Sequence, residues 1–110
     1  SLASGAVRLF EPVDGRRGLA EGIESALAAR ALTQIPCWAS LGNERFGLVS
    51  IPESVRELHL FIDHDAGGDL AEERARSAYA CENRTIVTRR ARGHGKDWND
   101  ALQAWLRSKS

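Results

Sequence analysis

Two carboxylates one residue apart, Asp63 and Asp65, close the apolar run Leu58-His59-Leu60-Phe61-Ile62. Such a run reads as a short strand covered on both faces. In an extended chain, residues two apart project to the same side, so both acids face one point at the strand's carboxyl end. Gly67-Gly68 lets the backbone turn sharply there, and Asp69 stands ready as an N-cap for the next helix. Ligands of open α/β sheets bind at the carboxyl ends of strands. Two acids gathered at that edge repel one another unless a cation neutralises them. The pattern therefore points to a divalent-metal site, and the rest of the chain has to supply it.

Two further clusters do so. Glu21 ends an earlier short segment and is followed by Gly22 and a helical pattern. Lys96-Asp97-Trp98-Asn99-Asp100 again falls where a strand has ended and a helix begins. Hard carboxylate oxygens suit Mg²⁺ or Mn²⁺, which keep several waters and bridge to substrate phosphates. Asp97 could complete a second metal position, with Lys96 meeting a phosphate; two ions about 4 Å apart clamp the attacking and leaving oxygens of phosphoryl transfer. Each residue also has a plainer use. Glu21 complements a helix dipole; taken alone the two uses weigh equally, and beside Asp63 and Asp65 the metal role prevails. Asp97 or Asn99 could cap the last helix, the commoner use of such residues. His64 points to the opposite side of the strand from the acids and is expected to pack or hydrogen-bond, as is His59 within the strand. His94, between two glycines, could touch substrate. Trp38, Trp98 and Trp105 read as core or sheet cover. No Ser/His/Asp or Cys/His nucleophile arrangement is present, nor a GxxxxGK[ST] phosphate loop.

The elements that position these residues alternate. Val7 to Phe10 is a short strand closed by Pro12 and the Asp14-Gly15 turn. A strand over 16–21 leads into a helix over 23–32, with Ile23, Leu27 and Ala31 at helical spacing. A strand over 35–39 and a loop at 40–43 precede a short helix over 44–50. After the Asp63/Asp65 strand comes a helix over 69–82, with Leu70, Ala71, Ala75, Ala78 and Tyr79 along its inner face. The β-branched run 85–88 is the last core strand, and a helix over 97–107 turns Ala101, Leu102 and Trp105 inward. Alternation of this kind predicts an α/β fold: an open, Rossmann-type sheet of about four parallel strands flanked by helices, with an extra N-terminal edge strand. One domain accounts for the chain, its core at 16–107 and residues 1–15 forming an N-terminal strand or tail.

Composition narrows the class. At 110 residues, with 43% hydrophobic and 27% charged residues, the chain suits one globular domain. No apolar run approaches the roughly 20 residues of a membrane span, and nothing reads as a signal peptide. Cys37 and Cys81 have no CxxC partner, which excludes a zinc ribbon within the chain, and a reducing, cytoplasmic setting is expected. Formal net charge is zero, so no overall basic excess marks a nucleic-acid binder. The charges are nevertheless segregated. Asp63, Asp65, Asp69, Glu72 and Glu73 lie together, and Arg84, Arg89, Arg90, Arg92 and Lys96 follow without an intervening acid. An acidic mouth beside a cationic rim suits a polyphosphate or nucleic acid; on charge alone a solvated surface is the favoured reading.

Ala20-Glu21-Gly22, then Phe61-Ile62-Asp63-His64-Asp65-Ala66-Gly67-Gly68, then Gly95-Lys96-Asp97-Trp98-Asn99-Asp100 resemble, in that order, the Toprim domain of primases, topoisomerases and some nucleases. The Asp-x-Asp-x-Ala-Gly form, the downstream Gly-Lys-Asp and the stretch Glu21 to Ala28 look most like the phage- and plasmid-type DNA primase or primase-helicase branch. The resemblance covers residues 16 to 107. It implies Mg²⁺- or Mn²⁺-dependent nucleotidyl transfer for RNA primer synthesis in DNA replication. Glu21, Asp63 and Asp65 would be catalytic, and Glu21, Asp63, Asp65 and Asp97 would bind metal. Lys96, Arg90 and Arg92 would meet phosphate, with Gly22 and Gly67 as supporting turns. It implies DNA template, RNA primer and nucleotides as partners, together with other domains of a larger primase, and feeble activity in isolation. The chain departs from bacterial primases at Ser25 and Asn99, where those carry acids, which lowers the charge at the second metal position. A Toprim-type nuclease or topoisomerase domain, and a non-catalytic nucleic-acid-binding module, are the alternatives. A haloacid-dehalogenase-like phosphatase ranks last, because its Asp-x-Asp ends the first core strand.

Overall fold

The computed structural model describes residues 7–8, 15–42, 45–64, 66–91 and 97–109. Its strands are β1 (Val7–Arg8), β2 (Arg16–Ala20), β3 (Cys37–Ala39), β4 (Glu57–Ile62) and β5 (Thr85–Arg90). Its helices are α1 (Ile23–Thr33), α2 (Ala66–Tyr79) and α3 (Trp98–Ser108). The strands form one sheet in the order β1-β3-β2-β4-β5. The core pairs β2–β3, β2–β4 and β4–β5 are parallel, and β1 joins the edge antiparallel to β3. The Rossmann-like expectation of four parallel strands with an added edge strand therefore describes the sheet.

Strand alternation splits the core into two layers. Leu19, Trp38, Leu58, Leu60 and Ile62 face Ala71, Ala75 and Tyr79 of α2. Ala20, Cys37, Ala39 and Phe61 face Ala26, Ala28 and Ala29 of α1 and Trp98 of α3. The second layer is built from small residues and is correspondingly tight. A Cβ on Gly18 would stand 2.6 Å from the Phe61 ring and 3.0 Å from Cys37 Sγ, so β2 needs glycine there for Phe61 to lie across it. Phe61 meets Trp98 edge-on at 5.0 Å, which pins the start of α3 above the end of β4. Both cysteines are free, and burial pushes the Cys37 thiol up.

Several expected details differ. On α1 it is chiefly Ala26, Ala28 and Ala29 that turn inward, with Leu32 packed at the margin of the same layer; Ile23 and Leu27 are exposed, and Ala31 lies with them. Residues 45–49 form turns, Leu48 N–H donating to the Arg45 carbonyl at 2.9 Å, instead of a short helix. Gly47 lies against the α2 backbone there, and so short a segment cannot repay helix nucleation. Phe46 and Val49 still plug the core. α2 begins at Ala66, so Asp69 sits in its first turn rather than at its N-cap, and the buried stripe is Ala71-Ala75-Tyr79, with Leu70 and Ala78 outward. Trp105 of α3 is half-exposed, with the Lys109 ammonium 5.0 Å from its ring, rather than inward.

Most of the expected cationic rim that falls within the described residues is bound to the protein itself. Arg84 donates to the carbonyls of Val55, Tyr79 and Pro52, bracketing the loop before β4. Arg89 donates to His59 Nδ1, whose Nε2–H faces Glu57; burial holds this imidazole below its ordinary range, in its neutral form. Arg90 reaches Glu72 at 2.8 Å and Asp69 at 2.7 Å, tying the edge strand β5 to α2. Glu72 also accepts from Thr88 Oγ1 and Arg76, and these bonds, Thr88 first, hold its carboxyl below the ordinary 4.5.

Two outcomes follow from this packing. A Cβ on Gly68 would stand 2.1 Å from the Asp63 carbonyl oxygen and 2.6 Å from Ile62 Cγ2. Gly68→Ala therefore lowers stability by about 1–3 kcal/mol in urea unfolding. Glu72→Gln lowers it by roughly 1 kcal/mol at pH 7. A carboxyl depressed in the folded state stabilises above its unfolded pKa and stops doing so as pH falls through the folded value. The gap between wild type and Glu72→Gln in thermal midpoint should thus be full above the ordinary 4.5 and close below it.

Candidate active site

The chain leaves β2 through α1 to reach β3 on one side of it, while β4 lies on the other side and leads through α2 to β5. The strand order thus reverses between β2 and β4, which is where open α/β sheets leave a crevice at their carboxyl edge. β2 and β4 are paired in register through Ala20 and Phe61. Glu21 is the residue after the first of these and Asp63 is two after the second, so both acids emerge at the same end of adjacent strands. They line one open cleft of about 490 Å³ together with Gly22, Gly42 and Asp97.

Each acid's backbone is held by more than its own strand. The Glu21 carbonyl accepts from Gly42 N–H at 2.7 Å and from Ser40 Oγ at 3.4 Å, and Ser40 N–H donates to the Ala20 carbonyl at 2.8 Å. The loop after β3 is in this way sewn to the end of β2. The Asp63 carbonyl accepts from Arg90 Nη1 at 3.4 Å and abuts Gly68. Arg90, expected to meet phosphate, is turned toward the Asp69 and Glu72 carboxylates and the backbone of Asp63. Asp97 caps α3: its Oδ1 accepts from Asp100 N–H at 2.8 Å, and Asp100 Oδ2 accepts from Asp97 N–H at 3.1 Å. It also lines the cleft, so capping and a ligand role occupy one position. His64, beyond the end of β4, is hydrogen-bonded through Nδ1 to the Ala91 carbonyl at 3.2 Å and is not among the residues that line the cleft. Gly67 lies in the first turn of α2. Asp65, Arg92, His94 and Lys96 lie outside the described residues.

The cleft is anionic. Glu24 lines it as well, an acid that reading Ser25 as the informative position passes over. No described lining residue is cationic. Gly22 is the N-cap of α1 and makes no side-chain cap, so the first amides of that helix open toward the cleft. A Cβ on Gly22 or Gly42 would meet nothing within 4 Å, which leaves bare backbone accessible to a ligand.

The same loop carries a residue whose setting no sequence pattern discloses. Leu41 has φ +66 and is 40% exposed, with its side chain on the cleft. Holding a bulky residue in this region costs about 1–3 kcal/mol and persists only where the surroundings impose it.

Among the described residues no three His, Cys, Asp or Glu side chains stand close enough to enclose a metal ion. Glu21 and Asp63 nevertheless offer hard oxygens in one cleft. That donor set fits Mg²⁺ or Mn²⁺, which bind through one or two carboxylates and complete their shell with water and substrate oxygens. Among the described residues no helix is long and apolar enough to cross a membrane.

A crystal structure of a DNA primase domain from Pseudomonas aeruginosa is similar, with a TM-score of 0.69 and 17% sequence identity; the match covers 99% of this chain and 38% of that one. At that identity the likeness is one of fold, and the chain spans well under half the length of its neighbour. No curated protein sequence matches it. The family model for the Toprim domain matches residues 16–108, and with the crevice at β2 and β4 in place the chain belongs to that family.

Proposed function

We propose that this is the catalytic Toprim domain of a DNA primase of the phage or plasmid type, performing Mg²⁺-dependent nucleotidyl transfer to build an RNA primer on a DNA template. The observation that carries the reading is the placing of Glu21 and Asp63 at the same ends of adjacent parallel strands, on one cleft. The similarity in fold to a DNA primase domain favours primer synthesis over cleavage.

In this reading Asp63 and Asp65 hold the metal and Glu21 takes the proton of the attacking hydroxyl or adds a ligand. When bound, Mg²⁺ neutralises the triphosphate and stabilises the charge that develops in transfer. The bare backbone at Gly22 and the α1 N-terminus receive phosphate oxygens, the use to which uncapped helix starts are well suited. Lys96 and Arg92 meet phosphate from the neighbouring segment. Arg90 holds the Asp63 backbone rather than the substrate. Asp97 contributes its carboxylate from the start of α3, beside its capping bond. Template and primer are handled together with other domains of a larger primase, in the cytoplasm.

The test is synthesis. The chain, given single-stranded DNA, radiolabelled ribonucleotides and Mg²⁺, should form short RNA slowly. Glu21→Gln and Asp63→Asn should each reduce the rate by roughly a hundredfold or more. Nicking of supercoiled plasmid without RNA synthesis would transfer the site to cleavage chemistry. Synthesis that is undiminished in both variants would remove the acids from the mechanism.

A further inference from the structure

The cleft has two chemically different parts. One is carboxylate and bare backbone, and the other is aliphatic: Ile23 and Leu41 line it and are 43% and 40% exposed. Neither belongs to either core layer. The fold therefore gains little from these side chains, and water is in contact with both.

Leu41 is the more telling of the two. The other described non-glycine residues with positive φ are Gln34, which ends α1, and Asn83, in the turn before β5. Both are positions where a left-handed residue is ordinary. Leu41 follows a strand. Its neighbour Gly42, at φ +132, is a glycine where the backbone demands one. At 41 the backbone would also accept glycine, yet a branched side chain is carried there under strain. The strain is imposed from both sides: buried Ser40 bonds through Oγ to the Gly42 carbonyl at 3.0 Å, and Gly42 N–H bonds to the Glu21 carbonyl. The loop that displays Leu41 is thus fastened to the backbone that carries Glu21.

We infer that Leu41 and Ile23 form an apolar shelf for the nucleobase of a nucleotide whose metal-bound phosphates lie over Glu21, Asp63 and Gly22. This rests on the proposed nucleotidyl-transfer reading. A nucleoside triphosphate joins a flat, largely apolar body to a polyanion that arrives with a divalent cation, which matches the aliphatic lining to the body and the carboxylates and bare backbone to metal-bound phosphate. The shelf side chains are aliphatic and have no hydrogen-bonding group, so they grip by contact and dispersion and do not read the base edge. The four bases should bind nearly alike, which leaves their selection to a template.

The experiment compares wild type with Leu41→Gly and Leu41→Asn, two residues at ease with positive φ. The readouts are Mn²⁺ affinity, the affinities of Mg²⁺-loaded ATP, CTP, GTP, UTP and inorganic tripolyphosphate, and thermal midpoint. In wild type each nucleotide should bind more tightly than tripolyphosphate, and all four alike. Both variants should lose about tenfold in nucleotide affinity, keep Mn²⁺ and tripolyphosphate affinity, and melt at or above the wild-type midpoint. Nucleotides binding no better than tripolyphosphate would remove the shelf and leave the metal reading standing. So would variants with unchanged nucleotide affinity, or with a lower midpoint, which would make Leu41 a packing residue. Failure of wild type to bind Mn²⁺ at all would overturn both readings together.

Discussion

Two parallel strands in register, with their crossovers leaving toward opposite sides, are the constraint on which this domain rests. α1 carries the chain from β2 to β3 and α2 carries it from β4 to β5, so neither of these crossovers spans the carboxyl edge between β2 and β4. Glu21 and Asp63, which follow Ala20 and Ile62, thereby emerge half-buried on one cleft. In this chain they are acids, and placing like charges together opposes folding unless a cation joins them. The surrounding bonds to the Glu21 and Asp63 carbonyls hold the backbone of both acids at that edge.

The rest of the packing serves that edge. Gly18 lets Phe61 lie flat over β2, Phe61 seats Trp98, and Trp98 delivers Asp97 to the cleft. Gly68 brings the first turn of α2 against the Asp63 backbone. On the far side Arg90 spans from α2 to that same carbonyl, so one side chain links the edge strand, the helix and the backbone of the acid. Charged residues outside the cleft are used as internal fasteners. Arg84, Arg89 and Arg90 each end on a protein acceptor.

Much of this was legible from residue order. Short β-branched or apolar runs alternating with alanine-rich stretches disclose the parallel sheet, and an acid at each of two strand ends, with a glycine close behind it, discloses the crevice. What could not be read is which side of an amphipathic segment is covered. Ile23 and Leu27 mark a stripe on α1, yet the fully buried residues of that helix are Ala26, Ala28 and Ala29, facing the small residues Ala20 and Ala39 of the sheet. The roles of Arg90 and Asp69 depend on a contact between β5 and α2 that spacing along the chain does not encode. Leu41 carries no signal of its own, since nothing in a leucine announces a left-handed backbone. Its setting emerges only once the loop is seen tied to Glu21.

The most direct measurement is paramagnetic broadening of backbone amide signals as Mn²⁺ is added to the folded chain. The account predicts that broadening begins at residues 21–25, 41–42 and 63, reaches 97, and spares the amino ends of β2 and β4. Broadening centred instead on the exposed acids of α2, or none at millimolar Mn²⁺, would contradict it.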